Sequence, residues 1–462
     1  MTQIQPILTQ LHLGLGSFHR AHQAVYLQDL HEQGDTSWQI AGGNIRPDML
    51  ELIADLKASG GAYMLETVTP GGERAYQRIE SIKQIIDFDA ELSGLTAVAA
   101  DPATRIISFT VTEAGYYLDS ENNLDESYAD LRTDLAGGHG TLYGALSVLL
   151  TARMAAEAGP VTLMNCDNLR SNGERFYAGF QQFLERRGET ELLEWVRENT
   201  RAPNAMVDRI TPRPTPDISE RVLAATGVDD TAALMGEAFT QWVIEDDFIA
   251  GRPAWEKVGV EMVEDVMPYE EAKIRLLNAT HSCLAWAGTL RGYPYIHEDC
   301  ADPEILQLAY DYVTNDTIPC LDTPKEPCPL DLAKYRDVVL ERFGNPNIQD
   351  TNQRVAMDGY SKLPGFILPT IRDSLNDGRS IDSVSMLPAL FLVFLERLPQ
   401  GKIPFEYQDQ AMPEGSAAAI CSADDVVKAF VDERLLFDDL AGDQRVLAAM
   451  RSAYERVGVF AG

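Results

Sequence analysis

The sequence predicts an α/β fold in its first half, built on a doubly wound parallel sheet, followed by a mostly α-helical C-terminal domain. Two observations lead to this prediction. Short apolar segments alternate with helical segments in the first part of the chain, as in parallel sheets covered by helices on both faces. From Pro268 onward, the long segments have a helical period and little strand character.

The elements of the first half follow one another in a regular order. The predicted strands are 11–13, 38–41, 105–112 and 161–165, and the predicted helices are 17–30, 49–59 and 142–158. The segment 105–112 (RIISFTVT) is rich in β-branched residues, which favour a buried strand. Gly60-Gly61 and Gly159-Pro160 are typical helix ends.

The second half is predicted to be helical throughout. Its helices are expected at 268–289, 303–314, 330–342, 364–375, 384–397, 424–435 and 440–457. This change of character places a domain boundary near residue 270, with one domain over 1–270 and a second over 271–462.

Composition excludes several classes of partner. The formal net charge of −33 disfavours binding to nucleic acid or to an anionic membrane surface. The six cysteines are scattered and form no pattern with zinc-ligand spacing, so we expect no metal site and a reducing, cytoplasmic compartment. The N-terminus lacks the features of a signal peptide, and no apolar run is long enough to span a membrane.

A glycine turn follows the first predicted strand and opens a helix. Gly14 allows a tight turn, and Gly16 allows the backbone to approach a pyrophosphate at the start of the helix. Ser17 and Phe18 belong to the same candidate site for a dinucleotide, which makes the sheet Rossmann-type. His19 replaces the third glycine of the usual fingerprint, and a plain strand-to-helix turn is the alternative.

The choice of dinucleotide is expected to depend on the loop after the second strand. An acidic residue there would hold the ribose hydroxyls of NAD, whereas an arginine could hold the additional phosphate of NADP. Both Asp48 and Arg46 are present, so these residues leave the choice between NAD and NADP open.

One predicted helix of the second half, 268–288, carries three polar side chains suited to carbonyl chemistry. At about 100° per residue, Lys273, Asn278 and His281 share one face of an α-helix. A lysine that is partly removed from water has a lowered pKa and can accept a hydroxyl proton. Asn278 and His281 could stabilise the oxygen as charge develops on it. A solvated polar helix face is the alternative interpretation.

A second group of polar residues, NCDN at 165–168, ends the strand predicted at 161–165. Ligands of doubly wound folds bind at the carboxyl edge of the sheet, where this group falls. Asn168 could therefore complete the pocket for the oxyanion, although a turn or a helix cap would use the same residue types.

Five motifs spread along the chain resemble those of the polyol-specific long-chain dehydrogenases, the mannitol dehydrogenase family. They are GLGSFHRAHQ at 14–23, TVTEAGY at 110–116, NCDNLRSNG at 165–173, PNAMVDRITP at 203–212 and KIRLLNATHS at 273–282. The resemblance covers nearly the whole chain. It implies an oxidoreductase that acts on a polyol or ketose without a metal, with 1–270 binding the dinucleotide and 271–462 providing the substrate and catalytic domain.

The resemblance also implies roles for individual residues. Lys273 matches the catalytic base, Asn168 and Asn278 match the asparagines of the oxyanion pocket, and His281 matches a histidine that orients the substrate. Four further residues match positions around the substrate: Arg354 and Lys362, which would contact the distal hydroxyls, Asp208, and Glu113, which would move protons to solvent.

The resemblance further implies NAD as the coenzyme and a monomer or weak oligomer, while Arg46 keeps NADP as an alternative. Within the family, GGNIRPDM and RIISFTVTEAGYYLDS most resemble members that oxidise D-arabinitol to D-xylulose. Members that oxidise mannitol to fructose are the first alternative, and members that reduce fructuronate or tagaturonate are the second. Cationic Arg354 and Lys362 suit a carboxylate as well as hydroxyls, so they do not discriminate between these substrates.

Overall fold

The computed structural model describes residues 6–119 and 121–461, except for the side chain of Glu113. The chain forms two compact units. The first extends up to Thr69 and over Glu73–Met267, and the second comprises Pro70–Gly72 and the chain from Pro268 onward.

The strands of the described residues all precede residue 264. They are β1 (Leu8–Leu13), β2 (Trp38–Gly43), β3 (Tyr63–Val68), β4 (Arg74–Ile79), β5 (Ile82–Ile86), β6 (Thr104–Phe109), β7 (Val161–Asn165), β8 (Thr200–Arg201), β9 (Ala205–Asp208), β10 (Leu234–Glu237), β11 (Gln241–Glu245) and β12 (Glu261–Val263).

Six of these strands form the main sheet, in the order β5-β2-β1-β6-β7-β8, and every pairing in it is parallel. The chain leaves β1 on one side towards β2 and returns on the other side with β6, so the strand order reverses next to β1. Loops that leave neighbouring strands in opposite directions open a crevice at the carboxyl edge. The predicted doubly wound parallel sheet is confirmed.

Two small three-stranded sheets accompany the main sheet and were not predicted. One has the order β10-β3-β4 and the other β12-β11-β9, and each contains one antiparallel pairing. Their strands are short, and β4 is largely exposed, so the buried apolar pattern that reveals the central strands is absent from it.

The helices of the first unit lie between these strands. They are α1 (Ser17–Ala21), α2 (Gln23–Glu32), α3 (Leu50–Ala58), α4 (Ser93–Ala99), α5 (Ala129–Leu135), α6 (Leu142–Ala155), α7 (Asn172–Arg187), α8 (Thr190–Asn199) and α9 (Pro216–Thr226), with short 3-10 turns at Glu113–Tyr116 and Trp255–Val258.

From Met267 onward the described residues are helical apart from their connecting loops. The helices are α10 (Met267–Ala272), α11 (Ala279–Arg291), α12 (Ile296–Ala301), α13 (Pro303–Asp311), α14 (Ile318–Leu321), α15 (Leu332–Phe343), α16 (Asn352–Ala356), α17 (Gly359–Lys362), α18 (Leu368–Asn376), α19 (Met386–Arg397), α20 (Ser416–Cys421), α21 (Val426–Val431), α22 (Arg434–Phe437) and α23 (Gln444–Ala461), with a 3-10 turn at Asp438–Leu440.

The core of the second unit surrounds α19, whose residues from Met386 to Leu395 are all buried. Trp286 of α11 packs on Phe391 of α19, with ring centroids 4.8 Å apart. The indole Nε1 of Trp286 donates to the carbonyl of Ala356 at 3.1 Å. These contacts join α11, α16 and α19 in one core. Because the described elements of the second unit are all helices, the predicted helical C-terminal domain is confirmed.

Several predicted element bounds were wrong. The strand predicted at 105–112 ends at Phe109, and the helix predicted from Ser17 to Leu30 is interrupted at His22, whose backbone is not helical. The segment 424–435 contains two separate helices, α21 and the start of α22, because the chain turns at Asp432 and Glu433.

A stack of two buried histidines lies against the main sheet. The rings of His12, on β1, and His19, on α1, are parallel within 11° with centroids 3.4 Å apart. His12 Nδ1 lies 2.9 Å from Ser108 Oγ on β6, and His19 Nδ1 lies 3.2 Å from Gln23 Oε1. Burial lowers the pKa of His12 to about 3 and also lowers that of His19, so both rings are neutral in the folded unit at neutral pH.

This stack predicts that stability falls as the medium becomes acidic. Below pH of about 6.5 the unfolded chain binds protons that the folded unit excludes, which costs up to about 1.4 kcal/mol per pH unit for each such histidine. Above that pH, the buried neutral histidines impose no such loss of stability. Urea midpoints between pH 8 and pH 5 should therefore fall less steeply in His12→Gln than in the unmodified chain. Parallel pH dependences in the two proteins would contradict this account.

Candidate active site

The glycine turn follows β1 at the carboxyl edge of the main sheet. Gly14 has φ +105°, a backbone conformation that side chains other than glycine rarely adopt. Its N–H donates to the carbonyl of Gly43 at the end of β2, at 2.9 Å, and the N–H of Leu15 donates to Asn44 Oδ1 at 3.0 Å. The turn is therefore fixed to the neighbouring strand.

Gly16 has no such conformational requirement. Its φ is −72°, and no atom lies within 4 Å of the position that a Cβ would take. A side chain at this position would project into open space. Gly16 and Gly14 both line a pocket of about 500 Å³, so the open space is where a bound group can approach the backbone closely.

The loop after β2 contributes Arg46 and Asp48 to the same pocket. Asn44 Nδ2 donates to Asp48 Oδ1 at 3.2 Å and holds this carboxylate at the pocket wall. Arg46 donates to the carbonyl of Gly140 at 2.9 Å and lies 3.3 Å from Asp130 Oδ2. Both candidate determinants of coenzyme choice thus face one pocket.

The remaining predicted coenzyme residues, Ser17 and Phe18, lie outside the lining of this pocket as the structure describes it. Ser17 begins α1, and Phe18 stacks on His22 with centroids 4.9 Å apart. Tyr117 and Asp130 line the pocket but were not predicted, because Tyr117 follows a short 3-10 turn, Asp130 lies in the first turn of α5, and neither belongs to a recognised spacing.

The loop after β7 is held by Asp167. This buried carboxylate accepts from the N–H of Val111 at 2.6 Å and from the hydroxyl of Tyr116. Burial raises the pKa of Asp167 to about 7. The next residue, Asn168, is exposed and lies at the carboxyl edge of the sheet, the position predicted for it.

The other two predicted residues of the first unit are Asp208 and Glu113. Asp208 is the last residue of β9 and is buried. Glu113 opens the 3-10 turn after β6, and its side chain lies outside the described part of the structure.

In the second unit, Lys273 begins a helical segment in which the backbone hydrogen bonds change from the α pattern to the π pattern. The segment Lys273–Asn278 is π-helical and joins α10 to α11 without a break. Lys273 is only 4% exposed. π-helical turns are rare and occur frequently at functional sites.

This π-helical segment corrects the α-helical projection made from the sequence. Residues of an α-helix bond four apart, whereas those of a π-turn bond five apart. Asn278 is five residues after Lys273, so the wider turn places it about one turn further along on nearly the same side. The sequence KIRLLN contains no signal for this change, because its apolar residues also fit an α-helix.

Arg275 anchors the π-helical segment inside the second unit. Its side chain is 5% exposed and lies 2.7 Å from Asp373 Oδ2. Its Nε donates to Thr370 Oγ1 at 3.1 Å, and its carbonyl accepts from the hydroxyl of Tyr312 at 2.6 Å. These bonds connect the segment to α18 and to the π-helical residues Tyr312–Thr317, which limits its movement.

His281, Arg354 and Lys362, which were all predicted as substrate residues, gather around Asp350. His281 Nε2 lies 3.1 Å from Asp350 Oδ2. Arg354 donates from Nε to Oδ1 at 2.7 Å and from Nη2 to Oδ2 at 2.5 Å. The side chain of Asp350 is 10% exposed. The sequence analysis missed Asp350 because it ends a loop and lies in none of the motifs.

The charges of this cluster depend on one another. Burial alone would raise the pKa of Asp350, but the neighbouring His281 ring and the hydrogen bonds from Arg354 hold it below its usual range. Burial lowers the pKa of His281, which also stacks on Phe343 at 4.4 Å, so its ring is neutral at neutral pH. Burial likewise lowers the pKa of Lys362 to about 8, and its Nζ donates to the carbonyl of Val355 at 2.7 Å.

The residues that the structure describes include no group of three or more His, Cys, Asp or Glu side chains arranged to hold a metal ion. In the same part of the chain, no helix is both long enough and apolar enough to cross a membrane.

A glycine turn at the strand-order reversal of a parallel sheet, together with a buried lysine on a helix of a second unit, is typical of dehydrogenases that use a dinucleotide. Comparison with known proteins agrees. Residues 9–257 match the Rossmann domain of mannitol dehydrogenase, and residues 265–458 match the C-terminal domain of mannitol dehydrogenase. The chain belongs to the mannitol dehydrogenase family, so the predicted family and enzyme class are confirmed.

Two curated relatives are more than half identical to this chain. A protein of Ralstonia nicotianae named D-arabinitol 4-dehydrogenase is 56% identical over 454 residues, which cover 98% of this chain and 96% of the relative. A Klebsiella pneumoniae protein with the same name is 51% identical over 443 residues, covering 96% of each chain.

A solved structure of Pseudomonas fluorescens mannitol 2-dehydrogenase, in a ternary complex with NAD and D-mannitol, is also similar. It aligns with a TM-score of 0.81 at 32% identity and covers 99% of this chain and 93% of that chain.

Proposed function

We propose that this protein oxidises D-arabinitol to D-xylulose with NAD as the hydride acceptor. The observation that carries the chemistry is the buried Lys273 on its π-turn, with Asn278 about one turn away. The substrate assignment is supported by the two relatives named D-arabinitol 4-dehydrogenase, which are 56% and 51% identical to this chain.

In the proposed reaction, Lys273 Nζ accepts the proton of the secondary hydroxyl at C4. A bound nicotinamide would accept the hydride from the same carbon, so the alcohol loses a proton and a hydride and becomes a ketone. Asn278 donates a hydrogen bond to the oxygen as negative charge develops on it, and we propose the same role for Asn168. Glu113 is proposed to pass the proton of Lys273 to solvent.

The remaining polar residues are proposed to bind the polyol. His281, Arg354 and Lys362 would hydrogen-bond to the hydroxyls that do not react, and their gathering around Asp350 supports a shared role. Asp208 is assigned to the substrate site by its place in the PNAMVDRITP motif and by its burial at the end of β9.

NAD is proposed as the coenzyme because Asp48 faces the pocket that the glycine turn opens. The carboxylate would accept hydrogen bonds from the ribose hydroxyls. Arg46 faces the same pocket and is the feature that would favour NADP. Its ion pair with Asp130 and its bond to the carbonyl of Gly140 already engage Nη2 and Nε of the guanidinium.

The surroundings of the protein are proposed from charge and cysteine chemistry. We expect a cytoplasmic protein, because none of the six cysteines, all in the described part, forms a disulfide. A net charge of −33 disfavours nucleic acid as a partner. We expect a monomer or a weak oligomer.

Initial rates of NADH formation with D-arabinitol, D-mannitol and D-sorbitol, measured with a chelator present, test the proposed function. We expect rapid turnover of D-arabinitol, slower turnover of the two hexitols and no effect of the chelator. A preference for D-mannitol would favour the mannitol 2-dehydrogenase alternative, which the structural similarity to that enzyme supports. No polyol turnover, together with rapid reduction of fructuronate, would reject the proposal.

A pair of glycine variants tests the coenzyme pocket. Gly16→Ala places a methyl group in open space, so the free energy of unfolding should remain unchanged while the Kd for NADH rises about tenfold. Gly14→Ala forces alanine to φ +105° and should cost about 1–2 kcal/mol of stability. Urea unfolding and titration of NADH fluorescence give the two quantities. Unchanged NADH binding in a folded Gly16→Ala protein would show that the coenzyme lies elsewhere.

A further inference from the structure

The side chain of Asp350 contacts both His281 and Arg354. Its two oxygens accept from Nε and Nη2 of Arg354, and Oδ2 also lies 3.1 Å from His281 Nε2. The carboxylate is 10% exposed, whereas the side chain of Arg354 is 65% exposed. The arginine therefore extends from a buried, negatively charged anchor towards solvent.

This arrangement restricts what Arg354 can bind. An ionised carboxylate is costly to bury unless a cation compensates it. If Arg354 turned away to form a two-point pair with a carboxylate of a substrate, Asp350 would lose its main compensating charge. Two carboxylates sharing one guanidinium would also repel each other at short range. Arg354 can still donate hydrogen bonds to neutral hydroxyls, because that requires no change of partner.

The second cation of the cluster is compensated as well. Asp350, Asp358 and Asp409 all act on Lys362 as nearby negative charges. Asp409 is fixed by the N–H of Tyr360 at 2.8 Å and by the hydroxyl of Tyr407 at 2.6 Å. Lys362 is thus influenced by three carboxylates, and Arg354 is paired with one of them, Asp350, so negative charge already offsets both cations.

We infer that Asp350 is a specificity-determining residue, which makes the subsite of His281, Arg354 and Lys362 accept neutral hydroxyls and reject a sugar acid. This inference rests on the proposed function and deepens it. In the sequence alone, Arg354 and Lys362 suit a neutral polyol and a sugar acid equally. The buried carboxylate between Arg354 and His281 is the feature that favours the neutral polyol. Because it holds the His281 ring as well, Asp350 is also a positioning residue for that side chain.

The experiment compares D-arabinitol with D-arabinonate, which differs by a carboxylate at one end. D-Arabinonate is tested as an inhibitor of D-arabinitol oxidation by the unmodified protein and by Asp350→Asn and Asp350→Glu. Asp246→Asn is the matched control, because Asp246 forms the same two-point pair with Arg252, at 2.7 and 2.8 Å, on the first unit. This control makes the same change in net charge at a pair that belongs to the other unit.

For the unmodified protein, we expect the Ki of D-arabinonate to be at least about tenfold higher than the KM for D-arabinitol. Asp350→Asn should lower this Ki about tenfold and raise the KM for D-arabinitol, because Arg354 becomes free to pair with the inhibitor. Asp350→Glu keeps the negative charge, so its Ki for D-arabinonate should stay high. Asp246→Asn should have the same Ki and KM as the unmodified protein.

Two results would overturn the inference. The first is inhibition of the unmodified protein by D-arabinonate at concentrations near the KM for D-arabinitol, which requires no variant to fold. The second is an unchanged Ki in a folded Asp350→Asn protein. Failure of the proposed function would look different, since the unmodified protein would then not oxidise D-arabinitol at all.

Discussion

The burial of Lys273 on a π-turn is the constraint on which the rest of the second unit depends. Burying the polar end of a lysine is costly, so a fold keeps such a side chain only where the surrounding structure holds it in place. Arg275, two residues further on, ties the same turn to α18 through Asp373 and Thr370. The insertion of one residue into the helical turn also brings Asn278 towards the side of Lys273. Helix geometry and burial therefore act together to place Lys273 and Asn278 on nearly the same side of one helix.

The first unit meets a different requirement, which is to present backbone rather than side chains to a ligand. Leu15, between the two glycines of the turn, is fully buried, and a Cβ on Gly42 of β2 would collide with it at 2.5 Å. The turn can therefore pack onto the sheet only because β2 carries a glycine there. Gly16 remains on the open side of the turn, where its missing side chain leaves the adjoining pocket unobstructed.

The sequence analysis succeeded where local pattern and tertiary burial agree. VTLMN is buried at every position and forms β7 with the predicted bounds, and the glycine turn stands where its strand-turn-helix context indicated. It failed where tertiary structure overrides the local pattern. The exposed residues of β4 resemble a loop, and the π-turn at Lys273–Asn278 has the apolar spacing of an ordinary helix.

Asp350 shows a further limit of prediction from sequence. Its role depends on His281, which lies far away in the chain, and on the fold of the loop after α15. The predicted residues His281, Arg354 and Lys362 came from motif resemblance, which names the groups that contact a ligand. The carboxylate that contacts His281 and Arg354 became visible only when the side chains were placed in space.

The most direct test of this account is the Lys273→Ala variant. Its kcat/KM for D-arabinitol is measured with and without added methylamine, and its affinity for NADH is measured separately. If Lys273 is the base, kcat/KM for D-arabinitol should fall about 10³-fold, NADH should bind within about twofold of the unmodified protein, and the amine should restore part of the rate. Turnover close to that of the unmodified protein would contradict the account. So would a joint loss of turnover, NADH binding and stability that methylamine does not relieve, because Lys273 would then serve the fold rather than the reaction.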